Sequence, residues 1–344
     1  MGGTVLPMAI DLGTDVWVGI RDDRRIVATS ENFPETGEVV ADLDARSPQP
    51  EWGWVNHVVA VASILQSKGV DVPGVQVRVS GSIPPGAGLS SSASLEVALA
   101  LAFDRLCSTG LTGEELAVIC QQAENDFIGV SCGIMDQLAV ASGVRGHALA
   151  IDCGTLNVTP VPFPDEVAVV VADSRQQREL AGSTYNERRA ACETAQSILR
   201  RPLVGISADQ VDESLEQLPG DLRAPARHVM TEQARVDDFV VALEAGDIAR
   251  LGALMRASHE SLRDDFGVTG DALDALAAAA WEAPGAIGAR MTGAGFGGCT
   301  VNLVAPDLVE EFVGTVGEQY FAATGRHAQF HHVVAADGAH EVFG

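Results

Sequence analysis

The chain has 344 residues, of which 47% are apolar, and its formal net charge at pH 7 is −25. This length predicts two domains, and the apolar fraction is ample for packed cores. The large excess of acidic residues excludes nucleic acid and anionic membranes as expected partners, because both attract a basic surface.

Two further features bear on where the protein works. The six cysteines are scattered without the spacing of a metal site, so we expect them to be reduced and packed. No basic-then-apolar leader opens the chain, and no apolar run approaches the roughly 20 residues that a membrane span requires. We therefore expect a cytoplasmic location, and we expect the protein to be a monomer.

The first predicted elements are a strand at Val5–Ile10 and a helix from Trp54 to Leu65, where apolar residues recur with helical spacing. A second strand, Val75–Val79, leads into the glycine- and serine-rich stretch 81–94. The apolar run Leu95–Phe103 then predicts a buried helix whose first-turn amides face that stretch. A strand, a glycine-rich loop and a helix in this order favour a phosphate site.

The stretch 81–94 combines a flexible backbone with hydroxyl groups. Gly86 and Gly88 allow close approach to a ligand, and the serines at 90–92 offer hydroxyls to phosphate or a metal. The alternative is a polar surface turn, but such a turn is not normally followed at once by an apolar helix. The one lysine, Lys68, lies far from the loop in sequence, which argues against lysine-based phosphate sites. The sequence therefore predicts a phosphate cradle that works through amides, hydroxyls and a metal.

Two carboxylates follow within a short distance of each other. A helix is predicted over Gly113–Phe127, ending at Gly129, and it carries Glu124 near its end. Asp136 comes twelve residues later, just before a helix predicted to start near Gln137. From the residues alone, an exposed helix carboxylate is a strong alternative for Glu124, and a helix cap is the favoured role of Asp136.

The second half of the chain is predicted to mix strands with a long helical region. Its predicted strands are Ala148–Ile151, Val167–Ala172 and Thr300–Val304. Residues 188–279 have mostly helical composition, and the glycine-rich stretch 293–298, taken alone, is a hairpin turn. Strands and helices mixed without a strict βαβ repeat indicate an α+β protein.

Four motifs resemble those of the GHMP small-molecule kinases, and within that family those of the galactokinases. They are Pro84–Ser94, Cys132–Gln137 with the strand that follows it, Ser258–Phe266 and Ala289–Thr300. The resemblance runs in order along most of the chain. It implies the two-domain GHMP kinase fold, with an amino-terminal α/β domain over 1–164 and a carboxy-terminal ferredoxin-like domain over 165–344. We place the join near Phe163-Pro164, where there is a turn signal.

The resemblance also implies a function, namely ATP-dependent phosphorylation of the anomeric hydroxyl of a monosaccharide. D-galactose is the expected substrate, and ATP and Mg²⁺ are the expected cofactors. A kinase for a related sugar is one alternative. A catalytically silent sensor that binds sugar and ATP and signals to a protein partner is another.

The implied roles map residue by residue onto this sequence. The implied ATP loop comprises Pro85, Gly86, Ala87, Gly88, Leu89, Ser90, Ser91, Ser92, Ala93 and Ser94. Ser92 and Glu124 would share Mg²⁺, and Asp136 would accept the proton of the attacking sugar hydroxyl. Gly133 and Tyr185, together with Asp136, would contact the sugar.

One part of the galactokinase pattern has no counterpart here. Galactokinases carry a segment resembling Gly-Arg-x-Asn-Leu-Ile-Gly-Glu-His-Thr-Asp-Tyr just before the equivalent of Gly2–Asp11, where this chain has only Met1. That segment supplies an arginine at the transferring phosphoryl group and polar groups for the sugar. We therefore expect Met1 to be an internal methionine of a longer protein. The segment would then be encoded by in-frame DNA upstream of Met1.

Overall fold

The computed structural model describes residues 2–84, 88–176 and 181–342, with the backbone alone over 181–185. Its strands are β1 (Thr4–Val5), β2 (Thr14–Arg21), β3 (Arg25–Ser30), β4 (Val39–Asp42), β5 (Gly74–Gly81), β6 (His147–Asp152), β7 (Val158–Pro162), β8 (Ala168–Asp173), β9 (Ala286–Met291), β10 (Cys299–Val304) and β11 (Gln329–Val333). Its α-helices are α1 (Val55–Ser67), α2 (Ser91–Cys107), α3 (Gly113–Gln122), α4 (Met135–Ser142), α5 (Ala181–Leu199), α6 (Val211–Glu216), α7 (Gly220–Ala245), α8 (Ile248–Ser261), α9 (Asp271–Glu282) and α10 (Val309–Thr324). This mixture of helices and mainly antiparallel strands confirms the predicted α+β class.

Residue contacts divide the chain into two compact units, and each is assembled from separate segments. We call them the amino-terminal unit, with residues 7–84, 90–145 and 335–342, and the carboxy-terminal unit, with most of its residues in 146–334. Both units therefore have their own core. The domain boundary expected at residue 164 stays a prediction.

The amino-terminal unit is built on a four-stranded sheet in the order β2-β5-β3-β4. Strand β5 runs antiparallel to β2 and parallel to β3. Its alternating residues Val75, Val77 and Val79 are buried, with Gln76 and Arg78 exposed, as expected for a strand with one face on a core. Burying each valine stabilises the fold by about 1.5–3 kcal/mol. The strand predicted at Val75–Val79 is confirmed.

Four helices of the same unit complete its core. Helix α1, predicted from the apolar spacing of residues 54–65, is buried along most of its length. It packs against α2, and α2 in turn contacts α3 and α4. The helices that carry the predicted site residues thus share one hydrophobic core with the sheet.

The strand predicted at Val5–Ile10 is wrong in extent. Pairing with β6 covers only Thr4 and Val5, and Ile10 makes an isolated bridge to Ala335. The interruption falls at Pro7, which has no backbone N–H to donate to a neighbouring strand.

The carboxy-terminal unit has an antiparallel sheet in the order β11-β8-β10-β9. With α9 before β9 and α10 before β11, the sequence order is β-α-β-β-α-β, the ferredoxin-like arrangement. The helices α5 to α8 precede α9, which confirms the predicted helical region over 188–279. Every residue of β8 is buried, and Val170 and Ala172 pack in one core with Phe312 and Tyr320.

Helix α8 lies directly on strand β9 at a glycine, which gives a test of the packing. A Cβ atom on Gly252 would lie 1.9 Å from the backbone oxygen of Ile287, whereas one on the exposed Gly314 of α10 would meet no described atom within 4 Å. Because the helix must move away, we expect Gly252→Ala to lower the free energy of unfolding by about 1–3 kcal/mol. Gly314→Ala should raise it by up to about 1 kcal/mol, since glycine disfavours helix. Urea denaturation measures both, and equal effects would contradict the close approach.

Candidate active site

Helix α2 begins inside the serine run. Ser90 is the residue before its first turn, with a φ of 56°, and Ser91 is the first helical residue. The left-handed conformation of Ser90 costs about 1–2 kcal/mol and marks a position that the surrounding structure constrains. Because Ser90 makes no side-chain capping bond in the described structure, the first amides of α2 remain available to an anion.

Of the ten predicted ATP-loop residues, the structure describes seven, from Gly88 to Ser94. Pro85, Gly86 and Ala87 lie outside the described residues. Ser92 is partly exposed in the first turn of α2, whereas the hydroxyl of Ser94 is buried and donates to Oγ1 of Thr14 at 3.0 Å. The Ser94 hydroxyl is therefore directed inward, toward strand β2.

The first predicted carboxylate, Glu124, is buried. Helix α3 continues into a π-helical turn at Ala123–Ile128, which ends at Gly129 with a φ of 86°, as predicted for the end of this helix. Glu124 lies in this turn and is 7% exposed. The interpretation of Glu124 as an exposed helix carboxylate is therefore wrong. π-helical turns are frequent at functional sites, where they redirect a side chain.

The second predicted carboxylate, Asp136, does not occupy the cap position of its helix. Helix α4 begins at Met135 instead of near Gln137, and the residue before it, Ile134, makes no capping bond. Asp136 is thus the second residue of α4, and it is partly exposed. A negative charge in the first turn is stabilised by the helix dipole.

A buried hydrogen bond joins the two motifs that carry these carboxylates. Nε2 of Gln137 donates to Oε2 of Glu124 at 3.2 Å. The same amide group lies 3.8 Å from Sγ of Cys132, and burial together with Glu124 raises the pKa of that thiol to about 12. Cys132 is therefore a neutral thiol here, and Glu124 is fixed by the residue that follows Asp136.

A pair of residues that the sequence did not single out lies beside Glu124. Nδ1 of His57 on α1 is 2.7 Å from Oε1 of Glu96 on α2. Glu96 is completely buried, and its Oε2 has no hydrogen-bond partner among the described residues. Burial raises the pKa of Glu96 to about 7, against the smaller opposing effect of the His57 hydrogen bond. The available signal was one glutamate inside the apolar run 95–103.

In the carboxy-terminal unit, a buried histidine ties together the two later motifs. The backbone N–H of Met291 donates to Nδ1 of His259 at 3.0 Å, so the ring proton is on Nε2 and is donated to Asp274 at 3.1 Å. His259 is completely buried. Its observed role is thus to hold α8 against α9 and the end of β9.

The glycine-rich stretch 293–298 connects the antiparallel strands β9 and β10, which confirms the hairpin interpretation. The backbone N–H of Phe296 donates to the carbonyl of Val268 at 2.9 Å. A Cβ on Gly295 would lie 1.9 Å from the same carbonyl oxygen, and Gly295 has a φ of 84°. Glycine is therefore required there by backbone packing.

The two residues predicted to contact the sugar are described unequally. Tyr185 lies in α5, and its side chain is outside the described part of the structure. Gly133 is exposed, and a Cβ on it would meet no described atom within 4 Å. Packing among the described residues thus does not explain the glycine at 133.

Among the described residues, the helices are too short or too polar to cross a membrane.

Three kinds of comparison, with family models, with related sequences and with a solved structure, agree on which proteins this chain is similar to. The model of the GHMP kinases N terminal domain matches residues 56–144, and that of the GHMP kinases C terminal region matches 239–320. A galactokinase of Chloroflexus aggregans is 44% identical over 95% of this chain and 85% of its own length. A galactokinase of a Roseiflexus species is 43% identical over 99% of this chain and 88% of its own length. The crystal structure of Lactococcus lactis galactokinase complexed with galactose superposes with a TM-score of 0.95 at 36% identity, covering 99% of this chain and 90% of that one.

The buried carboxyl group of Glu96 predicts how stability changes with pH. Its pKa is about 7 in the folded chain against 4.5 ordinarily, so between these values the folded state binds more protons than the unfolded state. The free energy of unfolding therefore falls as pH rises through this window. Glutamine does not ionise, so Glu96→Gln should not lose stability in this way. From pH 5 to pH 8, the unfolding free energy of the variant should therefore increase by about 2–3 kcal/mol relative to that of wild type.

Urea denaturation of both proteins at several pH values, with a chelator present, measures this difference. The matched control is Glu114→Gln, because Glu114 is exposed on α3. Its unfolding free energy should follow the wild-type pH profile. If the Glu96→Gln profile is also parallel to wild type, the buried carboxyl group is not responsible.

Proposed function

Because the chain belongs to the GHMP kinase family and is similar to galactokinases over nearly its whole length, we propose that it transfers the γ-phosphoryl group of ATP to the anomeric hydroxyl of D-galactose. The observation that carries the choice of sugar is the similarity to a galactokinase solved with galactose bound. The arrangement of Asp136, Glu124 and the first turn of α2 within one unit supports the choice of chemistry.

Asp136 is the proposed general base. It lies in the first turn of α4 and is partly exposed. As the sugar oxygen forms a bond to the γ-phosphorus, the bond from that phosphorus to the β,γ-bridging oxygen breaks and ADP leaves. The Asp136 carboxylate accepts the proton of the sugar hydroxyl, which increases the nucleophilicity of the sugar oxygen. The position in the first turn also favours a negative charge through the helix dipole.

The first turn of α2 is the proposed phosphate-binding element. Its backbone amides and the partly exposed hydroxyl of Ser92 can bind phosphate oxygens without any lysine. Ser92 and Glu124 offer the hard oxygen ligands that suit Mg²⁺, which would neutralise charge on the transferring phosphates. The hydrogen bond from Gln137 fixes the Glu124 carboxylate for that role. For the other residues of the predicted ATP loop, from Pro85 to Ser94, contact with ATP stays a prediction.

Gly133 and Tyr185 are the proposed sugar contacts beside Asp136. The support for Gly133 is that described packing does not require a glycine there, so the absent side chain can leave room for a ligand. Use of ATP as the donor supports the expected cytoplasmic location. The monomeric state stays a prediction.

The function is tested by measuring ADP release and the phosphorylated product with a panel of monosaccharides. The protein is assayed as the 344-residue chain and with any in-frame upstream residues. We expect galactose to be the preferred substrate of whichever of these two proteins is active. Asp136→Asn should lower kcat by about 10²–10⁴-fold, because the amide cannot accept the proton, while ATP affinity is kept.

The matched control is Asp126→Asn, since Asp126 is exposed in the turn that carries Glu124. It should leave kcat unchanged. Turnover that survives in Asp136→Asn would remove the base role. Binding of galactose and ATP with no turnover in either form of the wild-type protein would replace the kinase with a sensor, and preference for another sugar would overturn galactose.

A further inference from the structure

Three side chains from separate helical segments meet inside the amino-terminal unit. They are His57 on α1, Glu96 on α2 and Glu124 in the π-helical turn. One ring nitrogen of His57 and one carboxylate oxygen from each glutamate lie within 4.8 Å of one another. Packing of α1 against both α2 and that turn brings them together. We call these three residues the His-Glu-Glu cluster.

The cluster has more buried acceptors than the described structure satisfies. Glu96 is 0% exposed, and among the described residues its Oε2 has no hydrogen-bond partner. The amide of Gln137 donates to Glu124, but its own Oε1 is buried and also has no described partner. A buried oxygen without a partner costs about 1–3 kcal/mol, and more when it is charged. A cation bound between the three residues would give the buried Glu96 carboxylate a partner.

We propose that the His-Glu-Glu cluster binds one divalent transition-metal ion of the zinc class. An imidazole nitrogen with two carboxylate oxygens is a donor set that zinc accepts, whereas sites built from oxygen alone favour magnesium or calcium. Two carboxylates and a neutral imidazole balance the charge of a divalent ion. The proton now shared between His57 and Glu96, whose Nδ1 and Oε1 are 2.7 Å apart, leaves to solvent when the metal binds.

The route into the cluster lies along His57. Its side chain is 23% exposed, while that of Glu96 is fully buried. An ion can therefore reach the His57 ring from solvent, and from there it can reach the carboxylates that lie behind the ring. Glu124 is also the proposed magnesium ligand, so a zinc-class ion in the cluster would compete for it and inhibit transfer. That consequence rests on the proposed function, but metal binding itself does not.

Binding is tested on metal-free protein without ATP or sugar, by titration with Zn²⁺ alone against a chromophoric chelator. We expect one site per chain that His57→Gln and Glu96→Gln each weaken at least about 10-fold. His332→Gln is the matched control, because His332 is exposed on β11 in the other unit. It should bind like wild type.

Cysteines also bind zinc, so the ligands are identified separately with Co²⁺ alone. A site made by the cluster gives cobalt bands without a thiolate charge-transfer band, and the bands disappear in His57→Gln. A thiolate band, unchanged affinity in both cluster variants, or no wild-type binding at 1:1 stoichiometry would each overturn the proposal. If Glu96→Gln does not fold, as judged by circular dichroism, His57→Gln decides alone. The metal titration contains no ATP or sugar, so its result does not depend on whether the protein is active as a kinase.

Discussion

The hydrogen bond from Gln137 to Glu124 is the interaction on which the candidate site depends. It is buried, and it fixes the position of the Glu124 carboxylate relative to the first turn of α4. Asp136 precedes Gln137 in that turn, so one helix carries both the proposed base and the group that orients the proposed magnesium ligand. In phosphoryl transfer, where positioning and electrostatics supply most of the catalysis, such a coupling matters more than the strength of the bond itself.

Helix α2 has two roles in the same unit. Its first turn presents uncapped amides and the hydroxyl of Ser92, while Glu96 one turn later is buried against His57. Burial of Glu96, together with the nearby charge of Glu124, disfavours the charged form of Glu96 and so raises the pKa of Glu96. The helix therefore links the proposed phosphate-binding end, which is partly exposed, to the buried carboxyl group of Glu96, where we propose that a cation can replace the proton.

Local sequence patterns predicted much of this structure. The alternation in Val75–Val79 predicted β5, because one buried face sets the period of a strand. The continuous apolar run Leu95–Phe103 predicted the buried body of α2. The extent of the first strand was wrong because Pro7 interrupts pairing. The buried state of Glu124 was also missed from the residues alone, since it depends on a π-helical turn that has no simple sequence period.

The contacts between distant segments could not be predicted from the sequence. His57 and Glu96 are 39 positions apart, and only the packing of α1 on α2 brings them together. His259 belongs to a motif that the family resemblance identified, yet its hydrogen bonds to Met291 and Asp274 follow from the fold of the carboxy-terminal unit. Sequence patterns thus located the motifs, whereas tertiary packing decided which of their side chains are buried.

The most direct test of this account is the magnesium dependence of kcat in Gln137→Met. Methionine fills a similar volume but cannot donate a hydrogen bond to Glu124, so the carboxylate should be less well oriented for the metal. The account predicts that the Mg²⁺ concentration for half-maximal rate rises about 10-fold or more, while the KM for galactose changes little. An unchanged magnesium dependence in a folded variant would contradict the central role of the Gln137–Glu124 hydrogen bond.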